Sequence, residues 1–297
     1  MSKKAFSLIE LSIVLVIIGL LVAGITQSSR LVQKFRIRTA QTLTQSSPVN
    51  GIKNLVAWYE TTSQASFDSS IDNGVAISSW YDISPSVDKS NATQTTPANR
   101  PVYTENDINS LPTLKFTATS SQFLNLPDGT VPYNNSPYTV FIVAKADKSC
   151  GTGGSNCALM SSGDSAASNK GNAFRYNSGS AGNGSGAVQN GWNGVDVATS
   201  SSALSINSPH IATFHYNKIV RRIIFNGSEQ TTSGTQTINN EATAANNFVG
   251  RGIGTSSSAY LDGSIAEIII FNRALMAEEI DSIESYLGKK WGIKISD

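Results

Sequence analysis

The sequence predicts a mainly β protein: an antiparallel two-sheet sandwich, preceded by one long N-terminal helix and followed by a short C-terminal helix. Three observations carry that expectation. From about Gly51 onward, short apolar runs alternate with turns rich in Gly, Asn, Ser and Pro, the spacing of strands in an all-β domain. Only two segments carry helical periodicity, one at each end of the chain. The 297 residues leave roughly 250 after the first helix, enough to bury one large core.

The first helical stretch is Phe6–Ile25, FSLIELSIVLVIIGLLVAGI, which is apolar almost throughout and carries a single charge, Glu10. At helical rise it covers about 30 Å, the thickness of a bilayer's hydrocarbon core. An acidic residue at the centre of a membrane helix costs about 2.5–3.5 kcal/mol, so this carboxylate calls for a partner. A secretory signal cut near Val22–Gly24 accounts for Lys3, Lys4 and the apolar run but not for Glu10. A plain membrane anchor accounts for the length and again not for the charge. Leu31, Phe35, Ala40 and Leu43 continue the spacing to about Ser46, and Pro48 disfavours helix at Ser47. Arg30, Lys34, Arg36 and Arg38 make the extension basic, which by charge count alone places that end in the cytoplasm. Gly19 and Gly24 lower helix propensity within the apolar run, and small residues also let membrane helices pack closely.

The run Lys3-Lys4-Ala5-Phe6-Ser7-Leu8-Ile9-Glu10-Leu11 resembles the N-terminus of type IV prepilins and type II secretion pseudopilins. The resemblance implies cleavage between Ala5 and Phe6 by a prepilin peptidase, methylation of the new amine, and an assembly role for Glu10 facing the N-terminal amine of a neighbouring subunit. Ala5 departs from the glycine usual before the cut. The implied partners are other pilin subunits, and the implied location is the inner membrane before assembly, then an extracellular or periplasmic filament at the cell surface. That motif is more specific than a count of charges and puts Lys3 and Lys4 inside. The expected division is a leader over 1–5, a transmembrane and filament-core helix over 6–47, and a head over 48–297.

Within the head, strands are expected at Leu55–Tyr59, Ile77–Tyr81, Thr113–Thr117, Phe123–Leu126, Tyr138–Lys145, Ala158–Ser161, Phe174–Tyr176, His210–Tyr216, Ile219–Phe225, Asn247–Arg251 and Ser264–Phe271. Asn226-Gly227 marks a two-residue hairpin. In the C-terminal helix Ile280, Ile283, Leu287 and Trp291 share one face, with Glu278, Glu279 and Glu284 assigned to the solvated side. The segments VAWYE, ISSWYD, YTVFIVAKA and IAEIIIFNRAL resemble the LamG-like, concanavalin A-like jelly roll over Leu55–Ile293. Met276 stands where that family often has a helix-capping serine. The likeness supports a fold more than an activity.

Other chemistry is sparse. With 22 basic against 21 acidic residues, no global field favours nucleic acid. Cys150 and Cys157 bracket a glycine-rich loop and read as a local disulfide or as two free thiols. No second cysteine pair supports zinc. His210 and His215 are an odd number apart and point to opposite faces of a strand, and no catalytic motif is present, so the chain is expected not to be an enzyme. Calcium, which LamG-like folds often hold, has candidates in Asp82, Asp128, Asp164 and Asp262 near turns, where surface solvation is the alternative. Trp192, with Asn190 and Asn193 beside it, suits sugar stacking with amide hydrogen bonds, or else plugs one end of the core. Trp58, Trp80 and Trp291 read as core. The combined expectation is a pilin or pseudopilin whose head serves adhesion or glycan binding. The alternative is a membrane-anchored surface lectin that never polymerises and has no use for Glu10.

Overall fold

The computed structural model describes residues 8–133, 135–147, 157–163, 171–177, 186–191, 196–199, 203–234, 246–253 and 260–296. Helix α1 (Leu8–Gln45) leads into β1 (Leu55–Glu60), β2 (Ser79–Trp80), β3 (Ala92–Thr93), β4 (Val102–Ile108), β5 (Leu111–Phe116), β6 (Leu124–Asn125) and β7 (Tyr138–Ala146). Then come β8 (Ala158–Gly163), β9 (Gly171–Asn177), β10 (Ala187–Asn190), β11 (Val197–Thr199), β12 (Pro209–Tyr216) and β13 (Arg221–Phe225). The remaining elements are β14 (Ser228–Glu229), β15 (Thr232–Gly234), β16 (Phe248–Val249), β17 (Gly263–Phe271) and α2 (Ala277–Trp291).

The strands form two antiparallel sheets, the jelly-roll class expected from the sequence. The first runs β14-β13-β12-β7-β17-β5-β4, and β1 also pairs with β17. One edge of β17 lies along β7; the other is shared between β5, through Gly263–Ile265, and β1, through Glu267–Phe271. The second sheet runs β15-β11-β10-β9-β8-β16-β6-β3-β2. Between the sheets lie Val140, Ile142, Ile265, Ile268 and Ile270 with Phe174, Tyr176, Phe214 and Trp80. The opposite face of the first sheet presents Phe141, Val143, Ile211, Ile269 and Phe271 to α2, to Ala40 of α1 and to Val49 just after it. With both faces covered, β7 and β17 read as nearly unbroken apolar runs rather than alternating ones.

Each expected strand has a counterpart. The strands not anticipated are β3, β4, β10, β11, β14 and β15, most of them too short for a period of two to show. β4, VYTENDI, is long enough but mostly polar, and it is held by pairing with β5. Glu284 corrects the expected solvated face of α2: it is 2% exposed, because position 284 follows Ile280 by four and precedes Leu287 by three, inside the apolar stripe. The serine missing at Met276 is replaced by Glu279, whose carboxylate accepts the Met276 N–H at 2.9 Å and is gripped by Arg273 at 2.8 and 2.6 Å. Arg273 holds that carboxyl below its ordinary range.

Candidate functional site

Helix α1 divides into two lengths with opposite surroundings. From Leu8 to Val22 every side chain is exposed, apolar ones on all sides included, among them Leu8 at 87% and Leu20 at 69%. Glu10 lies in the first turn, where a negative charge complements the helix dipole. Ala5 and Phe6 lie outside the described residues. Among the described residues no helix is long and apolar enough to cross a membrane. The transmembrane reading of 6–47 is not shown by the described part of this helix.

From Gln33 onward the same helix docks on the head. Gln33 donates to Glu105 at 3.2 Å, Arg36 to the Asn109 carbonyl at 3.2 Å and the Ser110 hydroxyl at 3.1 Å, and Gln41 to the Thr62 carbonyl at 2.8 Å. Ala40 and Thr44 are buried. Thr44 meets a polar cluster sealed from solvent. Lys290 Nζ of α2 donates to Thr44 Oγ1 at 2.8 Å and to Glu60 Oε2 of β1 and Glu267 Oε2 of β17, both at 2.9 Å, with both ion pairs fully buried. Glu267 also accepts Trp58 Nε1–H and Trp291 Nε1–H at 2.7 Å and the Tyr286 hydroxyl at 2.8 Å. Burial, then the charges of Glu267 and Glu60, pushes the Tyr286 hydroxyl well above its usual pKa, so it remains a donor. Glu60 Oε2 also accepts the backbone N–H and hydroxyl of Thr62 at 2.7 Å, while Oε1 has no partner. A buried charge is tolerable only when so surrounded. Two acids within apolar strands, VAWYE and IAEIIIF, were the sequence signal of this cluster.

The proposed glycan residues fare differently. Trp192 and Asn193 lie outside the described residues. Asn190 is 1% exposed and faces the core: its Oδ1 accepts the Tyr138 hydroxyl at 2.5 Å, its Nδ2 donates to Asn172 Oδ1 at 2.8 Å, and its carbonyl accepts Arg221 at 2.8 Å. Burial pushes the Tyr138 hydroxyl up to about 12. Gln189 and Arg175 occupy the other face of the second sheet, since their neighbours Val188, Phe174 and Tyr176 point into the core. There Arg175 Nε donates to Gln189 Oε1 at 3.0 Å and its terminal nitrogen approaches Asp196 Oδ1 at 3.4 Å, while Gln189 Nε2 has no partner.

His210 and His215 do point to opposite faces. His210 meets the Tyr176 hydroxyl at 2.7 Å between the sheets, and burial pushes it down to about 4. Of the calcium candidates, Asp82 is 4% exposed, its carboxylate accepting from the backbone N–H groups of Trp58, Ser84 and Ser90 and from the Ser84 hydroxyl. Asp128 is exposed, Asp262 half-buried, and Asp164 outside the described residues. Among the described residues no three acids, histidines or cysteines are grouped to hold a metal. Cys157 is buried and no described cysteine is free; Cys150 lies outside the described residues.

Residues 1–26 match the prokaryotic N-terminal methylation motif, and residues 118–281 match the concanavalin A-like lectin/glucanases superfamily. No curated protein matches the chain. Similar solved structures include a Trypanosoma rangeli sialidase in complex with sialic acid, 10% identical with a TM-score of 0.48 over 80% of this chain and 33% of that one. Domain 4 of AbnA, a GH43 extracellular arabinanase from Geobacillus stearothermophilus in complex with arabinotriose, is 16% identical with a TM-score of 0.44 over 78% of this chain and 98% of that one. The Ruminococcus gnavus sialidase CBM40 domain is 12% identical with a TM-score of 0.39, over 51% of this chain and 84% of that one. The chain thus spans about a third of the sialidase's length. The expectation that the chain is not an enzyme is corrected: the superfamily matched takes in glucanases as well as lectins, so that exclusion does not stand, and the sialidases among the similar structures, at 10–12% identity, show no activity here. Since the superfamily match covers more than half of the chain, this protein belongs to the concanavalin A-like lectin/glucanases superfamily.

Proposed function

We propose that the chain is a subunit of a type IV pilus-like or type II secretion filament, with a head that contacts carbohydrate. The observation that supports it most is the methylation motif over residues 1–26, leading directly into a helix whose Leu8–Val22 length is exposed and apolar all round. A surface of that kind needs a lipid or protein environment. In this reading residues 1–5 are removed, 6–47 lie first in the inner membrane and then in the filament core, and 48–297 face outward at the cell surface. Glu10 neutralises the methylated amine of Phe6 in the next subunit. Immunogold imaging of cells that express the chain with a prepilin peptidase tests it, with antibody against the head. Decorated filaments are expected; label confined to the cell envelope would instead favour a surface lectin that does not polymerise.

The carbohydrate reading rests on membership of a lectin superfamily and on Trp192, whose indole in an Asn/Gly-rich segment suits sugar stacking. A filament presents many copies, so a feeble single site can act through multivalency. A glycan array probed with the full chain in detergent, beside Trp192→Ala, should show saccharide binding that the variant weakens. Absence of binding by clustered wild-type chains would leave the head a packing element.

A further inference from the structure

On the outer face of the first sheet, α2 and the β12–β14 edge enclose a groove that none of the contacts above occupies. One part is a cavity of about 180 Å3 lined by His215, Arg222, Glu229, Asp281 and Glu284 among others. A larger recess of about 580 Å3 shares Gly227, Asp281 and Glu284 with it and continues to Lys289, Ile293 and Ile295. The floor is made of buried hydrogen-bond acceptors. His215 is 7% exposed, lines the cavity, and its Nδ1 has no hydrogen-bond partner. A neutral imidazole carries one bare lone pair, so this ring can accept from a donor that enters the cavity. Burial first, and the charge of Arg222 second, hold this imidazole below its ordinary pKa, in the neutral form.

Beside it, the Glu284 carboxyl is 2% exposed and accepts the Thr213 hydroxyl at 2.5 Å, which uses one of about four lone-pair positions. Asp281 stands one turn earlier on α2 at the rim. Across the groove Glu229 of β14 faces Arg222 of β13 at 3.6 Å, both half-exposed or more, and Lys289 lies at the far end of the recess. A buried acceptor without a donor is costly, and here a lone pair and a carboxylate converge on one space. What fills it must bring N–H donors and positive charge. A primary ammonium has three donors on a compact centre, to match Glu284, Asp281 and the His215 ring; Ile293 and Ile295 offer apolar surface for an attached chain.

We propose that this groove binds a primary aliphatic amine, with the ammonium group among Glu284, Asp281 and the His215 ring and the carbon chain along Ile293 and Ile295. The amine is either a free small molecule or the side chain of a lysine. Calorimetry on the full chain in detergent at pH 8 tests it with three probes: 1,4-diaminobutane, Nα-acetyl-lysine amide, and n-butanol as a neutral control. Saturable binding of at least one amine and none of n-butanol is expected. Glu284→Gln should weaken the amine at least tenfold, and Asp281→Asn, at the exposed rim, several-fold. Glu278→Gln, an exposed acid of the same helix outside the groove, should change nothing. Tighter binding of diaminobutane assigns the site to a free amine, and tighter binding of the lysine derivative to a protein side chain; both support an ammonium site. No saturable amine binding, or equal binding by the Asp281→Asn and wild-type chains, overturns it.

Discussion

The Lys290 ammonium lies 2.8 Å from the Thr44 hydroxyl, a residue 246 positions earlier. Through that contact and the two carboxylates beside it, α1 is tied at one point to β1, β17 and α2. Hydrogen bonds in a dry interior are short and directional, so the junction acts as a fixed bracket and not as a swivel. Lys290→Met should lower stability by about 3–5 kcal/mol, because two buried carboxylates lose their counter-ion. Replacing Glu60 and Glu267 by Gln in the same chain should recover part of that loss. Urea unfolding of the three proteins measures it, and a single variant as stable as the wild type would rule out an ionic joint.

Processing comes next. The mature protein should begin at N-methylated Phe6, given Ala5 before the junction and the motif over residues 1–26. N-terminal mass spectrometry reads this directly; a start at Met1, or beyond Gly24, would end the filament reading.

Glu10→Leu should leave membrane insertion intact while filaments vanish. Its position in the first turn of an otherwise apolar, exposed helix gives the charge no role in insertion, where it only costs. Fractionation and electron microscopy of the variant separate the two functions, and normal filaments would show that the charge takes no part in assembly.

Glu284 supplies a pH dependence. Burial pushes its carboxyl up to about 7 from an ordinary 4.5. Below pH 4.5 it is protonated in both the folded and unfolded chain; as pH rises the unfolded chain ionises first, so stability falls until about pH 7 and then levels. Relative to the wild type, Glu284→Gln should therefore gain stability between those limits, by at most about 3 kcal/mol. Unfolding measured from pH 4.5 to 8 would show that widening difference. A constant difference between the two proteins would exclude a buried, proton-holding Glu284.

Alkylation under denaturing, non-reducing conditions should find neither Cys150 nor Cys157 reactive, in accord with the absence of a free cysteine among the described residues. Closing so short a loop contributes at most about 2–3 kcal/mol. Two modified cysteines would refute the pairing.

What the sequence reveals follows burial and length. β7 and β17 are visible because they are covered on both faces and therefore apolar throughout; α2 is visible through its stripe. β3, β11 and β14 have two or three residues each and exist only because neighbours supply their partners. Glu10 is legible as a lone charge in an apolar run. Glu284 and Lys290 are not, because helical periodicity assigns a charge to water unless a second charge or hydroxyl waits in the core, and Glu60, Glu267 and Thr213 are remote in sequence. Asn190 shows the same gap in a strand. Its face is set by the register of Val188 and of Tyr176 opposite, which its exposed-looking Asn/Gly surroundings conceal.

The bracket at Thr44 also sets a clock. Its far half, α2, together with β17, the pairing partner of β1, is made last, while α1 is made first. At a synthesis rate of about 5–20 residues per second, the 246 positions between Thr44 and Lys290 take roughly 12–50 s to appear. Throughout that interval Thr44 and Glu60 stand without the ammonium that joins them, and only a chain that has reached Lys290 closes the joint between α1, β1, β17 and α2.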